Sequence, residues 1–266
     1  MISLNSRSTG ALLLCVLTIG LAACGKKPLI PQGVTQPDRY LFDRANAELN
    51  DKNWMDARTY FQQIVDNYPQ SPLRPDAKLG VGDAHLGENT VESVVLAAAE
   101  FRDFLAFYPT HARADYAQYK LAMSHFTKMR APQRDQSETR QSIREFEVFF
   151  ERYPDSALTP EVKQKWREAK DRITEADYLV GVFYFKNKWW PGAIPRFKAI
   201  LANDPGFSKR DGVYYYLAES IIERGTRTDK EKEAEALPYF ERLLAEFKES
   251  EFLLEATKRV EELKAQ

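Results

Sequence analysis

The sequence predicts an all-α fold, an α-solenoid of about five stacked helix pairs hung from an N-terminal tether. Three observations carry that prediction. One spacing recurs along the chain: a small residue, bulky residues four, seven and eleven positions later, then usually Pro. Each copy follows an upstream segment that carries a small residue of its own. Finally, the 266 residues include only 12 Gly, and the 29% that are charged interleave acids with bases, as on solvated helix faces.

The chain opens with Arg7 in a short polar start, an apolar run from Ala11 to Ala23, and then Leu21-Ala22-Ala23-Cys24. A weakly basic start, about 13 apolar residues and small side chains before a cleavage point predict a secretory signal over residues 1–23. The run is too short for a permanent membrane span. Leu three residues before Cys, with small residues between, is the bacterial lipobox. There the Cys24 thiol takes a diacylglycerol, the signal is cut before it, and the new amine takes an N-acyl chain. One acyl chain holds a protein only marginally at a bilayer, whereas three make attachment effectively permanent. The plain alternative is an ordinary signal with an incidental Cys; position and the abrupt change of polarity favour the lipobox. Gly25 follows Cys24 where an Asp would resemble an inner-membrane retention signal. This points to the inner leaflet of the outer membrane, facing the periplasm.

Residues 24–37 form the tether, with Pro28, Pro31, Gly33 and Pro37 and no helical or strand period. Lys26 and Lys27 either attract anionic headgroups or simply solubilise the linker. Cys15 leaves with the signal and Cys24 is consumed by lipid, so the mature chain has no disulfide and no thiolate for catalysis. The formal charge of −1 is spread along the chain, with no basic face of the kind nucleic acid demands.

The repeats then follow in order. Ala57, Phe61, Ile64, Tyr68, Pro69 and Ser71 open the series. Ala97, Phe101, Phe104, Tyr108 and Pro109 repeat it, and Ser142, Phe146, Phe149, Tyr153, Pro154 and Ser156 repeat it again. Ala193, Phe197, Ile200, Asp204 and Pro205 form the fourth copy; Ala236, Phe240, Leu243, Phe247 and Ser250 form the fifth, with Lys248 in place of Pro. Such spacing marks one face of a helix, and Pro ends it. The upstream helices align on Ala45, Gly80, Ala122, Gly181 and Ala218, small residues that let a neighbour approach closely. Inserts at Met129–Gln133 and Gly225–Asp229 read as turns. Successive Phe residues are 40, 45, 51 and 43 apart, and a long helical pattern from Pro160 to Lys186 accounts for most of the 51. That helix is expected to join repeats one to three, residues 38–157, to repeats four and five, residues 158–266. Pro195 and Pro238 fall two residues past the small residue of copies four and five, so these helices either begin late or bend.

The layout resembles the tetratricopeptide repeat, whose signature has small residues at two helix positions, an aromatic and a closing Pro. In such arrays the first helices line a concave face. Aligning them puts Phe42, Ala77, Tyr119, Tyr178 and Tyr215 at one position, which in that family faces the groove. Four aromatics could hold an extended peptide, or they could pack between repeats. Trp189 and Trp190, before Pro191, read as half core and half surface and are left unassigned.

Catalysis finds little support. His85, His111 and His125 are isolated, without metal-ligand spacing, and Gly80-x-Gly82 lies inside a helical pattern rather than after a strand. The chain is read as a non-enzyme with no cofactor or metal beyond the diacylglycerol and N-acyl chain on Cys24.

Lipobox, Pro-containing tether and five repeats with Tyr-Pro-x-Ser endings together resemble the BamD family, lipoproteins of the outer-membrane β-barrel assembly machinery. The resemblance covers the whole mature chain. It implies a scaffold under the outer membrane that binds the periplasmic POTRA region of BamA, other lipoproteins of the machinery, and unfolded outer-membrane proteins. It also implies that repeats four and five, Tyr178 to Leu263, meet BamA and that a groove near Phe42 and Tyr119 meets substrate. Tol–Pal-associated periplasmic proteins share the repeat ending, which leaves a scaffold of the cell-division or peptidoglycan machinery as the alternative. Those proteins follow an N-terminal coiled coil and lack the lipid anchor.

Overall fold

In a computed structural model, residues 30–224 and 229–265 are described, so the signal, Cys24 and most of the insert at 225–228 lie outside the described residues. The described residues form eleven α-helices and no strand. They are α1 (Pro37–Asn50), α2 (Trp54–Asn67), α3 (Arg74–Glu88), α4 (Val91–Phe107), α5 (Ala114–Phe126), α6 (Ser137–Arg152), α7 (Thr159–Lys186), α8 (Trp190–Asn203), α9 (Arg210–Glu223), α10 (Asp229–Glu246) and α11 (Leu253–Lys264). Each packs chiefly on its neighbours in sequence, the arrangement of a solenoid of helix pairs. Among the described residues five pairs run from α1–α2 to α9–α10, and α11 packs on α10 beyond them.

The second helices stop where Pro predicts. Tyr68, Tyr108, Tyr153 and Asp204 cap α2, α4, α6 and α8 with φ between −125° and −139°, outside the helical region, because the following Pro clashes with a helical predecessor. Pro195 and Pro238 sit inside α8 and α10, so these helices begin early and run through their prolines.

The small-and-bulky pattern is the packing code. Phe61, Phe101, Phe146, Phe197 and Phe240 are all essentially fully buried. A Cβ on Gly80 would stand 2.5 Å from the Phe61 ring, and one on Gly181 would stand 2.6 Å from that of Phe197. Glycine at these positions is thus what lets two helix backbones close on one ring.

The serine endings act as clamps between repeats. Ser71 Oγ donates to Asp38 in the first turn of α1 (2.7 Å) and accepts the backbone N–H of Leu73, at the start of α3 (3.1 Å). Ser156 does the same with Asp115 (2.5 Å) and Leu158 (3.1 Å), and Ser250 with Asp211 (2.6 Å) and Phe252 (3.2 Å). One hydroxyl thereby ties the start of one first helix to the start of the next. Ser250 bonds the residue before α11 in the same way, so α11 begins as α3 and α7 do.

Repeats two and four depart from this. At the serine position of repeat two, His111 Nδ1 accepts the N–H of Arg113 (3.2 Å) while its ring meets Phe104 edge-on. In repeat four the buried Phe207 takes that place against Tyr178, with ring centres 5.9 Å apart.

The long helix α7 has 28 residues, against 13 to 15 in α1, α3, α5 and α9. Its first half, with Val162 and Trp166, packs in the core of repeat three; from Tyr178 onward it belongs to the core of repeats four and five. Between these, a polar lattice ties α7 to the α8–α9 turn. Arg167 donates to both oxygens of Asp204 (2.8 and 2.6 Å) and to Asp171, while Thr174 donates to Asp204 (2.7 Å) and the Ser208 N–H to Asp171. All four apolar clusters are built from residues between Ile30 and Leu263. Ile30, from the expected tether, packs against repeat one.

Candidate functional site

The aligned first-helix position is occupied in one recurrent way. Phe42 meets Phe61 (ring centres 5.7 Å apart), Tyr119 meets Phe146 (6.4 Å), Tyr178 meets Phe197 (6.2 Å) and Tyr215 meets Phe240 (6.2 Å). Each ring is therefore turned onto the second helix of its own repeat. Among the described residues no ring contact joins two of the four. Ala77 is fully buried, and Tyr119, 7% exposed, donates its hydroxyl to Glu161 of α7 (2.6 Å). Tyr215 also stacks on Phe252 (4.6 Å, 18°), tying α9 to the start of α11. Each of the four rings thus packs within its own repeat, and the four do not stack on one another. One turn before a small residue, a bulky side chain falls into the seam that the small residue opens. Burial, aided by the Glu161 carboxylate, pushes the Tyr119 hydroxyl well above its ordinary pKa, so it stays a neutral donor, and burial raises Tyr178 as well. Phe42, Tyr178 and Tyr215 remain half-buried and keep an exposed edge.

The larger openings lie elsewhere. Two adjoining cavities of about 630 and 650 Å³ share Asn89 and Thr127. They lie where the α3–α4 and α5–α6 turns approach the middle of α7. Their apolar lining comes from Val91, Val94, Met123, Phe126 and Met129. Asn89, at φ +54°, ends α3 in the left-handed region that Asn tolerates. Arg172 of α7 donates to the Arg130 carbonyl (3.2 Å), bridging the insert to the long helix. These residues were not singled out from the sequence. The two signals that could have found them are the insert at Met129–Gln133 and the surplus length of α7, which each read as a connection rather than as a wall.

The three histidines are absorbed by structure. His125 pairs with Glu138 (2.8 Å), and although burial opposes it, that contact and Lys128 hold the Glu138 carboxyl below the usual carboxylate range. His85 accepts from Arg58 (3.1 Å), which also binds Glu88 (2.9 Å); burial and the guanidinium charge push the imidazole below its ordinary value. Among the described residues no three His, Cys, Asp or Glu side chains gather as a metal site, and no helix is long and apolar enough to cross a membrane.

Comparison with known proteins places this architecture. A family profile described as an outer membrane lipoprotein, YfiO, matches residues 35–210. An outer membrane protein assembly factor BamD of Caulobacter vibrioides is 25% identical over 230 residues, covering 86% of this chain and 74% of the relative. The protein of that name from Rickettsia prowazekii is also 25% identical over 230 residues, covering 86% and 90%. A solved MamA protein aligns over 80% of this chain and 92% of its own, at 15% identity and a TM-score of 0.35.

Proposed function

The chain belongs to the YfiO family of outer membrane lipoproteins, and on that premise we propose that it is a lipid-anchored scaffold for assembling outer-membrane proteins at the periplasmic face of the outer membrane. The observation that carries this reading is the family match over residues 35–210, continued by relatives named as outer membrane protein assembly factors along 86% of the chain. The lipobox at Cys24 supports attachment through diacylglycerol and an N-acyl chain.

The partners in this reading are the POTRA region of BamA, other lipoproteins of the assembly machinery, and unfolded outer-membrane proteins. Repeats four and five, with the largest continuous apolar cluster, offer a stiff platform for BamA. The exposed edges of Phe42, Tyr178 and Tyr215 border the first-helix face and would contribute contacts to an extended chain, whereas Tyr119 would support that face from beneath. The work is binding, not catalysis.

Affinity purification through a tagged copy is expected to recover BamA; its reproducible absence would remove this reading. Cys24→Ala should block lipidation and signal cleavage. Normal cleavage and membrane retention of that variant would show that attachment does not run through Cys24.

A further inference from the structure

We propose that the turn between α7 and α8 is a tip that docks on an anionic lipid surface, a second membrane contact besides the N-terminal anchor. From Tyr178 to Asn203 the chain has no Asp or Glu, yet it carries Lys186, Lys188, Arg196 and Lys198. Arg196 pairs with Asp177 and Lys198 with Glu235, whereas Lys186 and Lys188 enter no ion pair among the described residues. Both lysines are exposed beside large apolar side chains that are exposed too: Phe183 at 61%, Trp189 at 52% and Val180 at 37%.

The tip is held in shape. Lys188 sits at φ +57°, which turns the chain sharply from α7 into α8. Trp190 packs on Phe185 (5.5 Å) within the core, while Trp189 is braced edge-on against Tyr184 (4.6 Å) and against Gly192, leaving about half of it in solvent. Of two adjacent tryptophans, one fastens the turn and the other is presented.

Aromatic rings with an apolar body and a polar edge settle at headgroup depth, and lysine stems lie along apolar surface while their ammonium groups stay in water. Anionic headgroups attract basic side chains within a Debye length. A protein strand or peptide would need a groove, and the 200 Å³ cavity between α7 and α8 is lined by none of Phe183, Lys186, Lys188 and Trp189. An acid-free, aromatic tip suits a broad anionic surface better. This inference is independent of the assembly reading and survives if BamA is not recovered.

The test uses the polypeptide 25–266, which lacks acyl chains but contains every packed cluster. It is floated with vesicles of pure phosphatidylcholine and with the same lipid mixed with phosphatidylglycerol. Flotation is expected only with the anionic vesicles, to fall with added salt, and to be accompanied by a blue shift of emission that W189F abolishes. K186E/K188E should weaken flotation by at least about tenfold while leaving the thermal melt unchanged. Equal flotation on neutral vesicles, no flotation on anionic ones, or insensitivity to the lysine pair would overturn the proposal. So would a polyglutamate peptide that binds the tip while the vesicles do not, which would make the occupant an acidic protein segment.

Discussion

Repeats one, three and five close with an aspartate–serine clamp; repeats two and four reach the same helix stacking without it. The aligned positions change together. Asp38, Asp115 and Asp211 face Ser71, Ser156 and Ser250, whereas the same two positions hold Leu73 with His111 and Thr174 with Phe207. The difference separates what makes a repeat stack from what fastens its corner. Stacking comes from the buried Phe beside a small residue, present in all five. Fastening can be polar, as with serine, or rest on a ring, as with Phe207, whose repeat moves its polar bonds to Asp204 and Arg167.

The hardest test of that separation is the shared core. F146A in a clamped repeat and F197A in an unclamped one should each cost about 3–5 kcal/mol in chemical denaturation, since both empty a fully buried aromatic site. A loss under about 1 kcal/mol in either would place that ring outside the core and break the comparison.

Next comes the lattice of repeat four. D204A should cost about 3 kcal/mol, because it strips a buried partner from Arg167 and Thr174 while Asp171 still offers Arg167 a carboxylate. A smaller cost than that of the serine clamp would mean that Phe207 alone holds the corner. The clamp itself is worth less: S156A should cost about 1–2 kcal/mol, the range for losing a charge-assisted hydrogen bond together with a local turn bond. A double-mutant cycle with D115A should show coupling of about 1 kcal/mol, and strict additivity would deny that the two residues form one device.

The smallest effect concerns pH at the seam of repeats one and two. His85 is held neutral in the folded state by burial and by Arg58, so its pKa lies below the unfolded value of 6.5. Its contribution is complete above that value and shrinks as pH falls through it, because the unfolded chain then binds the proton more readily. Stability measured downward from pH 7 should decline less steeply in H85Q than in the parent. Identical slopes would show that His85 does not report on this seam.

Much of the fold was legible because helix packing leaves a one-dimensional trace. Ala57, Ala97, Ser142, Ala193 and Ala236 recur at fixed distance from their Phe residues, and the Pro after Tyr68, Tyr108 and Tyr153 marks each helix end. The site was less legible. Phe42, Tyr119, Tyr178 and Tyr215 share an alignment column, but whether a column faces a groove or a seam depends on how far neighbouring helices rotate, which spacing does not encode. The cavities around Asn89 and Thr127 form where the α3–α4 and α5–α6 turns meet, and the second also takes in the middle of α7, elements far apart in the chain.

By itself, the sequence determined the number of helix pairs, their stop points, the small residues that admit a neighbour, and the expectation of a lipid-bearing Cys24. These follow from local sterics and from periodicity, which act within a few turns of chain. Only the tertiary structure decided that each ring of the aromatic column packs on its own second helix, that Ser71, Ser156 and Ser250 reach back more than thirty residues to an aspartate, and that Trp189 is half in solvent while Trp190 packs in the core. Those outcomes depend on which surfaces meet after stacking, and burial is a property of the assembled neighbours rather than of any one residue.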